Sequence, residues 1–98
     1  MARRTYGIGI TVNHRVFTKV VIDPHYEEKH AESINDLIIL DLVKMLDGEV
    51  HLAKTKDEEG FEYFVREGLI HKNKMYRLIW LTHENEIYIG VVNAYRRD

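Results

Sequence analysis

The sequence predicts a single α+β domain: one or two N-terminal helices packed on a four- to five-stranded antiparallel sheet that ends in a C-terminal β-hairpin. Three observations carry this expectation. Residues 75–81 and 86–95 are rich in β-branched and aromatic side chains and flank the polar stretch Thr82-His83-Glu84-Asn85, as the arms of a hairpin do. Between Ile34 and Leu46 only positions 35, 36, 41 and 44 are polar, so a helix there is buried on most of its circumference. The chain has 98 residues, 45% of them apolar, with one proline and no low-complexity run, which is enough for one core and too little for two.

The elements follow in order. Residues 6–12 and 16–22 read as strands, with Asn13-His14 as a tight turn, making residues 1–22 an N-terminal strand or hairpin arm. Asp23-Pro24 opens the helical segment 23–48: Asp as N-cap, Pro at the first helical position, Glu27 and Glu28 near the positive end of the dipole. Ser33-Ile34-Asn35-Asp36 reads as a second cap with Ser33 as the capping residue, and Gly48 ends the helix. Residues 49–98 form the sheet. Residues 50–53 fit a short strand and 54–60 an acidic loop. Residues 61–70 suit either a helix, with apolar positions 61, 64, 65 and 69, or a strand; the strand is preferred. Pairing Leu81 with Glu86 sets Tyr76–Val91, Leu78–Ile89 and Trp80–Ile87 on the helix-covered face. Trp80, Leu78, Ile87 and Ile89 are then buried in a central hairpin. The open face carries Met75, Arg77, Ile79, Tyr88 and Val92, with Arg77 opposite Gly90, where a glycine leaves room for a ligand.

Several functional classes are disfavoured. Cysteine is absent, which excludes disulfides, zinc–thiolate sites and cysteine nucleophiles and fits a cytoplasmic location. No apolar stretch approaches the roughly 20 residues of a membrane span, and residues 6–12 are too short and glycine-interrupted for a signal peptide, so no membrane partner is expected. The six histidines lack helical i, i+4 ligand spacing, and no metal or cofactor is expected. There is no GxSxG, and Gly7-Ile8-Gly9 lacks the rest of a phosphate-binding fingerprint. The net charge of −2 is unevenly spread. Residues 1–22 hold four basic residues and no acid; residues 23–65 hold twelve acids against four lysines; residues 66–98 hold six basic residues against four acids. The total argues mildly against nucleic acid, whereas the distribution permits it.

Acid–base chemistry with arginine remains. Tyr26 and His30 are four apart and share a helix face. Histidine titrates near neutrality, and arginine offers a planar, permanently charged fork for phosphate oxygens. Metal-free RNA cleavage needs little more: a base for the 2′-hydroxyl, an acid for the departing 5′-oxygen and a cation for the phosphorane. Each residue also has a plainer role. His30 suits helix packing, Arg77 an ion pair with Glu67 or Glu62 on a neighbouring strand, Tyr76, Trp80 and Tyr88 sheet packing, and Arg96-Arg97 a solvated tail.

The order of Lys29-His30-Ala31, a helix ending in Leu46-Asp47-Gly48, Met75-Tyr76-Arg77-Leu78-Ile79-Trp80 and Val91-Val92-Asn93-Ala94-Tyr95 resembles the small RelE/BrnT-like toxins of the barnase–EndoU–colicin–RelE ribonuclease group. The likeness covers about residues 25–97 and is one of order and texture. It implies a metal-independent endoribonuclease toxin with His30, Arg77 and Asn93 or Tyr95 at the matching positions, Tyr95 being taken with His30 and Arg77 as catalytic. It further implies Asn93, Arg96, Arg97, Lys74 and Tyr88 as RNA contacts. The partners implied are RNA and a cognate antitoxin, with homodimerisation compatible. The chain departs from the group in its low basicity and in the extra residues 6–22 before the first helix. By simple alternation Asn93 and Tyr95 fall on the buried face unless a bulge turns the strand. The rival reading is a non-catalytic protein-binding module (immunity, phage or subunit-association protein) using the exposed sheet face.

Overall fold

The structure, a computed structural model, describes residues 2–98 and is α+β, with two short helices and a six-stranded mixed sheet. Strands β1 (Arg4–Val12) and β2 (Arg15–Ile22) form the expected hairpin. Its two-residue turn, Asn13-His14, has both residues in the left-handed region (φ 54° and 63°), the geometry that matches the twist of paired strands. A 3₁₀ turn, Pro24–Tyr26, is capped by the Asp23 carboxylate, which accepts from His25 N at 2.8 Å, and runs into the single turn α1 (Glu27–His30). Helix α2 (Asp36–Lys44) follows. The remaining strands are β3 (Thr55–Lys56), β4 (Phe61–His71), β5 (Lys74–His83) and β6 (Tyr88–Arg96), in the spatial order β1-β2-β6-β5-β4-β3. Among the described residues no helix is long and apolar enough to cross a membrane.

The central β5–β6 hairpin and the strand over 61–70 match expectation, but the sheet differs in strand number and direction. The chain returns from β5 to lay β6 beside β2, and these two pair in parallel, Lys19 with Tyr88 through Ile22 with Val91. That pairing moves the hairpin register. Leu81 faces Gly90 rather than Glu86, Trp80 faces Val91, and Arg77 faces Tyr95 rather than Gly90. Arg15 on β2 holds the longer connection at 84–87, its Nη2 donating to the carbonyls of His83, Glu84 and Glu86 at 3.0, 3.3 and 2.9 Å. Trp80, Leu78 and Ile89 are fully buried as expected, whereas Ile87 falls on that connection and is 54% exposed.

Other local expectations shift for identifiable reasons. Asn35, not Ser33, caps α2: its side chain accepts from Ile38 N at 2.9 Å, while the Ser33 hydroxyl donates to the His30 carbonyl. The helix buries Ile39, Leu42 and Val43 but leaves Leu37 to solvent, so it is less enclosed than its pattern suggests. Residues 50–53 are not a strand, because their neighbourhood bonds to the first hairpin turn: His51 N donates to Asn13 Oδ1 at 2.6 Å and Asn13 N to Glu49 O at 3.0 Å. The sheet begins its last antiparallel run later, at Thr55-Lys56.

The core lies between the helices and one sheet face, built from residues such as Phe17, Ile22, Ile39, Leu42, Phe64 and Trp80. At its rim the Asp36 carboxylate accepts four hydrogen bonds: Arg4 Nε at 2.6 Å, Arg4 Nη2 at 2.8 Å, Tyr6 Oη at 2.5 Å and Tyr26 Oη at 2.7 Å. The Arg4 bonds, reinforced by the two phenols, outweigh burial and hold the Asp36 carboxyl down at about 2. Burial and the bond to Asp36 push the Tyr26 phenol up. This cluster clamps the outermost strand and the 3₁₀ turn to the start of α2.

Candidate functional site

The uncovered face of β4–β6 carries Arg77, Tyr88, Asn93, Tyr95 and Arg97 among the expected site residues, and two irregularities of the strands decide which side chains meet there. The first lies in β6. Between Val91, opposite Trp80, and Asn93, opposite Ile79, Val92 is an extra residue without a partner. This bulge reverses the alternation. Val91 and Ala94 are buried, while Asn93 and Tyr95 emerge on the open face beside Ile79 and Arg77. The second lies in β4, where Glu67 and Gly68 interrupt the register between Arg66 and Leu69. Gly68 takes a left-handed φ of 68°, which side-chain-bearing residues adopt reluctantly, and Glu67 is thereby set opposite Arg77.

The result is a connected polar group. Arg77 Nη1 donates to the Tyr95 hydroxyl at 2.7 Å. The His30 ring stacks on the Tyr95 ring, centroids 4.9 Å apart and planes 20° from parallel. Glu67 Oε2 lies 3.1 Å from Arg77 Nε, and Glu67 Oε1 lies 3.7 Å from Arg97 Nε. The Arg77–Glu67 contact is off the N–H direction, so Arg77 Nε is buried without a hydrogen-bond acceptor among the described residues. The plainer expectation for Arg77, an ion pair with Glu67, is therefore present, while Glu62 stands elsewhere, opposite Thr82. His30 reaches this face because the parallel β2–β6 pairing carries the chain out of β2 along the last part of β6; Asp23 N donates to Val91 O at 3.1 Å where the strands part. Tyr26, four residues earlier, turns into the core instead.

Of the residues expected to contact RNA, Arg97 joins the group through Glu67, and Asn93 stands next along the face with its Oδ1 accepting from Ala94 N at 2.9 Å. Three do not join. Arg96 is opposite Tyr76 on the helix-side register and pairs with Asp98 at 2.9 Å. Lys74 shares that register and lines a groove beside α2 with Leu37, Asp41 and His71. Tyr88 lies at the far end of the open face. The room expected over Gly90 is occupied by a side chain of the same sheet: a Cβ at Gly90 would stand 2.7 Å from Leu81 Cδ1.

At that far end is a cleft of about 450 Å³ that sequence reasoning did not anticipate, lined by Phe61, Tyr63, Tyr88 and Leu81 and rimmed by Arg3, Asp23, Asp57 and Glu59. Its trace in the sequence is the alternation Asp57-Glu58-Glu59-Gly60-Phe61-Glu62-Tyr63, acids followed by aromatics two apart, which suits a turn feeding one face of a strand. Chemically, the His30–Tyr95–Arg77 end offers a titratable ring, a phenol and a fork of cationic donors. Because Arg77 donates to the Tyr95 oxygen, the phenol keeps its own O–H free to donate. No protein-family model matches this chain, and no curated protein or solved structure matches it.

Proposed function

We propose that this chain is a metal-independent endoribonuclease of the toxin type, cleaving RNA on its open sheet face and held inactive by an antitoxin that covers that face. The observation that supports the reading is the convergence of His30, Tyr95 and Arg77, residues separated by as much as 65 positions, through a bulge in β6. In the reaction proposed, His30 takes the proton of a 2′-hydroxyl. The 2′-oxygen attacks phosphorus, and the bond from phosphorus to the 5′-oxygen breaks. Tyr95 protonates the departing 5′-oxygen, leaving a 2′,3′-cyclic phosphate and a 5′-hydroxyl. Arg77, whose guanidinium already reaches the Tyr95 hydroxyl on this face, stabilises the charge gathering on the phosphorane. Glu67 positions the guanidinium and competes with phosphate for it until substrate arrives.

The deciding experiment incubates the purified chain with RNA in EDTA and expresses it alone in cells. Wild type cuts RNA in the chelator and arrests growth. Arg77→Ala lowers the rate roughly 10²–10³-fold, the usual effect of removing a preorganised charge contact. Arg77→Lys rescues poorly because a point charge does not reproduce the fork. A wild type that leaves RNA intact and cells growing, with both variants indistinguishable from it, instead assigns the face to a non-catalytic binding module. Such a module would use the same surface at Met75, Ile79 and Tyr88.

A further inference from the structure

We propose that the aromatic cleft at the Tyr88 end of the open face is a receptor for the guanidinium of an arginine side chain presented by a protein partner. The inference stands on the cleft alone, and it holds whether or not the same face cuts RNA.

Two properties of the cleft select its ligand. The first is charge. Asp23, Asp57 and Glu59 bring three carboxylates to the lining, and Arg3 is the one cation among its described residues, so the lining is net negative. Such a site repels phosphates and carboxylates and draws cations. The second is the wall, where Phe61, Tyr63 and Tyr88 are each half-buried. The negative face of an aromatic ring attracts a cation, most strongly one that has shed part of its water. Burial pushes the Tyr63 phenol up and the charges of Asp57 and Glu59 push it the same way, so this ring stays neutral.

Among cations, guanidinium fits best. It is flat and weakly hydrated, and it stacks on rings while its edge forks onto a carboxylate. The compact, strongly hydrated ammonium of lysine lacks both the flat face and the fork. The three carboxylates differ in what they can still accept. Asp57 Oδ1 accepts from the backbone N–H groups of Glu59 and Phe61 at 3.0 Å each, and Oδ2 from Tyr63 Oη at 3.3 Å. Asp23 is 3.4 Å from Arg3 Nε, a loose pair at the mouth in which the Arg3 side chain is 70% exposed. Glu59 commits its N–H to Asp57 and its carbonyl to His83, and its carboxylate has no partner among the described residues. A guanidinium lying on the rings thus finds one free carboxylate for its fork, with Asp57 adding charge.

The floor favours an arginine delivered on a chain over a free ion. Leu81 fills the space over Gly90, and Val21 and Val92 are half-buried beside it. The methylene stem of an arginine would cover this apolar surface. A cavity of about 450 Å³ is of the size that takes ligands larger than one side chain, so residues flanking the arginine can enter as well. An arginine seated in an aromatic pocket is also a recurrent anchor of protein interfaces.

The test uses capped amino acids and follows the amide resonances of Phe61, Tyr63 and Tyr88. N-acetyl-arginine methylamide at millimolar concentration should shift all three, less so as salt rises. N-acetyl-lysine methylamide should bind less well, and N-acetyl-citrulline methylamide, the same shape without the charge, should not bind. Glu59 is exposed, so Glu59→Gln keeps the fold and should weaken the arginine probe roughly three- to fivefold. Arg3→Ala removes the competing cation and should tighten the probe by a similar factor. Capped valyl-arginyl-valine should bind more tightly than capped arginine, because its flanking residues reach Val21 and Val92. The absence of any shift with the arginine probe, equal binding of the citrulline probe, or weaker binding in Arg3→Ala overturns the proposal. A tripeptide no tighter than the single residue, or agmatine binding more tightly than either, overturns the protein partner in favour of a free small cation. Guanosine bound in place of the arginine probe overturns the guanidinium itself.

Discussion

Two arginine-centred clusters stand on this molecule, and they differ in whether their hydrogen-bonding capacity is used up. Around Asp36, the Arg4 fork and two phenols converge on one carboxylate, which accepts four bonds of 2.5–2.8 Å. Around Arg77, one guanidinium bond goes to Tyr95, an ion pair to Glu67 is misaligned, and Nε–H has no acceptor among the described residues. A closed network stabilises and orients the elements it joins. An open one leaves hydrogen-bonding capacity unused, at the expense of the desolvation that a buried unpaired N–H carries, typically ~1–3 kcal/mol. The difference separates the two clusters: the Asp36 cluster is a closed clamp for β1, and the Arg77 cluster keeps part of its hydrogen-bonding capacity unused.

That contrast can be broken in both directions. The largest effect is expected at His30. On the ribonuclease reading proposed above, His30→Ala should lower RNA cleavage about 10²–10⁴-fold. Its stability loss in urea should not exceed roughly 1.5 kcal/mol, the worth of a lost ring stack. Equal loss of fold and activity would erase the distinction. Asp36→Ala should do the reverse. It leaves Arg4, Tyr6 and Tyr26 without their shared acceptor and should lower unfolding free energy by about 3 kcal/mol, toward the lower end for breaking a buried pair because Arg4 is partly exposed. Cleavage by the remaining folded protein should be unchanged.

The smallest effect sharpens the comparison through pH. Asp36 has its carboxyl held at about 2 in the folded protein, below its unfolded value near 3.8. Its stabilisation is therefore complete above the unfolded value and lost as pH falls through the folded one. Between about pH 4 and pH 2 the chain should lose about 2 kcal/mol from this group. Asp36→Asn, lacking the titrating group, should show a correspondingly flatter stability profile over that range. An identical acid profile in wild type and variant would show that the four bonds stabilise little.

Much of this protein is local and so was legible in its residue order. Period-two runs mark β1, β2, β4 and β5; Asn13-His14 marks a turn of two left-handed residues; Asp23-Pro24 marks a capped start. Each depends on neighbours a few positions apart, which is the range over which sterics, capping and periodicity act. The candidate site was legible in its residue types, His30, Arg77 and Tyr95, but not in its geometry. Alternation counted from Trp80 sends Tyr95 inward, and only the unpaired Val92 sends it outward. Nor does any local signal mark the parallel β2–β6 pairing, which relocates the hairpin register, exposes Ile87 and delivers His30 to Tyr95. These features belong to contacts across dozens of residues. A one-residue bulge has no strong composition of its own, and a strand's partner is chosen by what remains unpaired once the core has closed. Sequence alone therefore determined most of the elements and the candidate side chains, whereas tertiary pairing decided which face those side chains share.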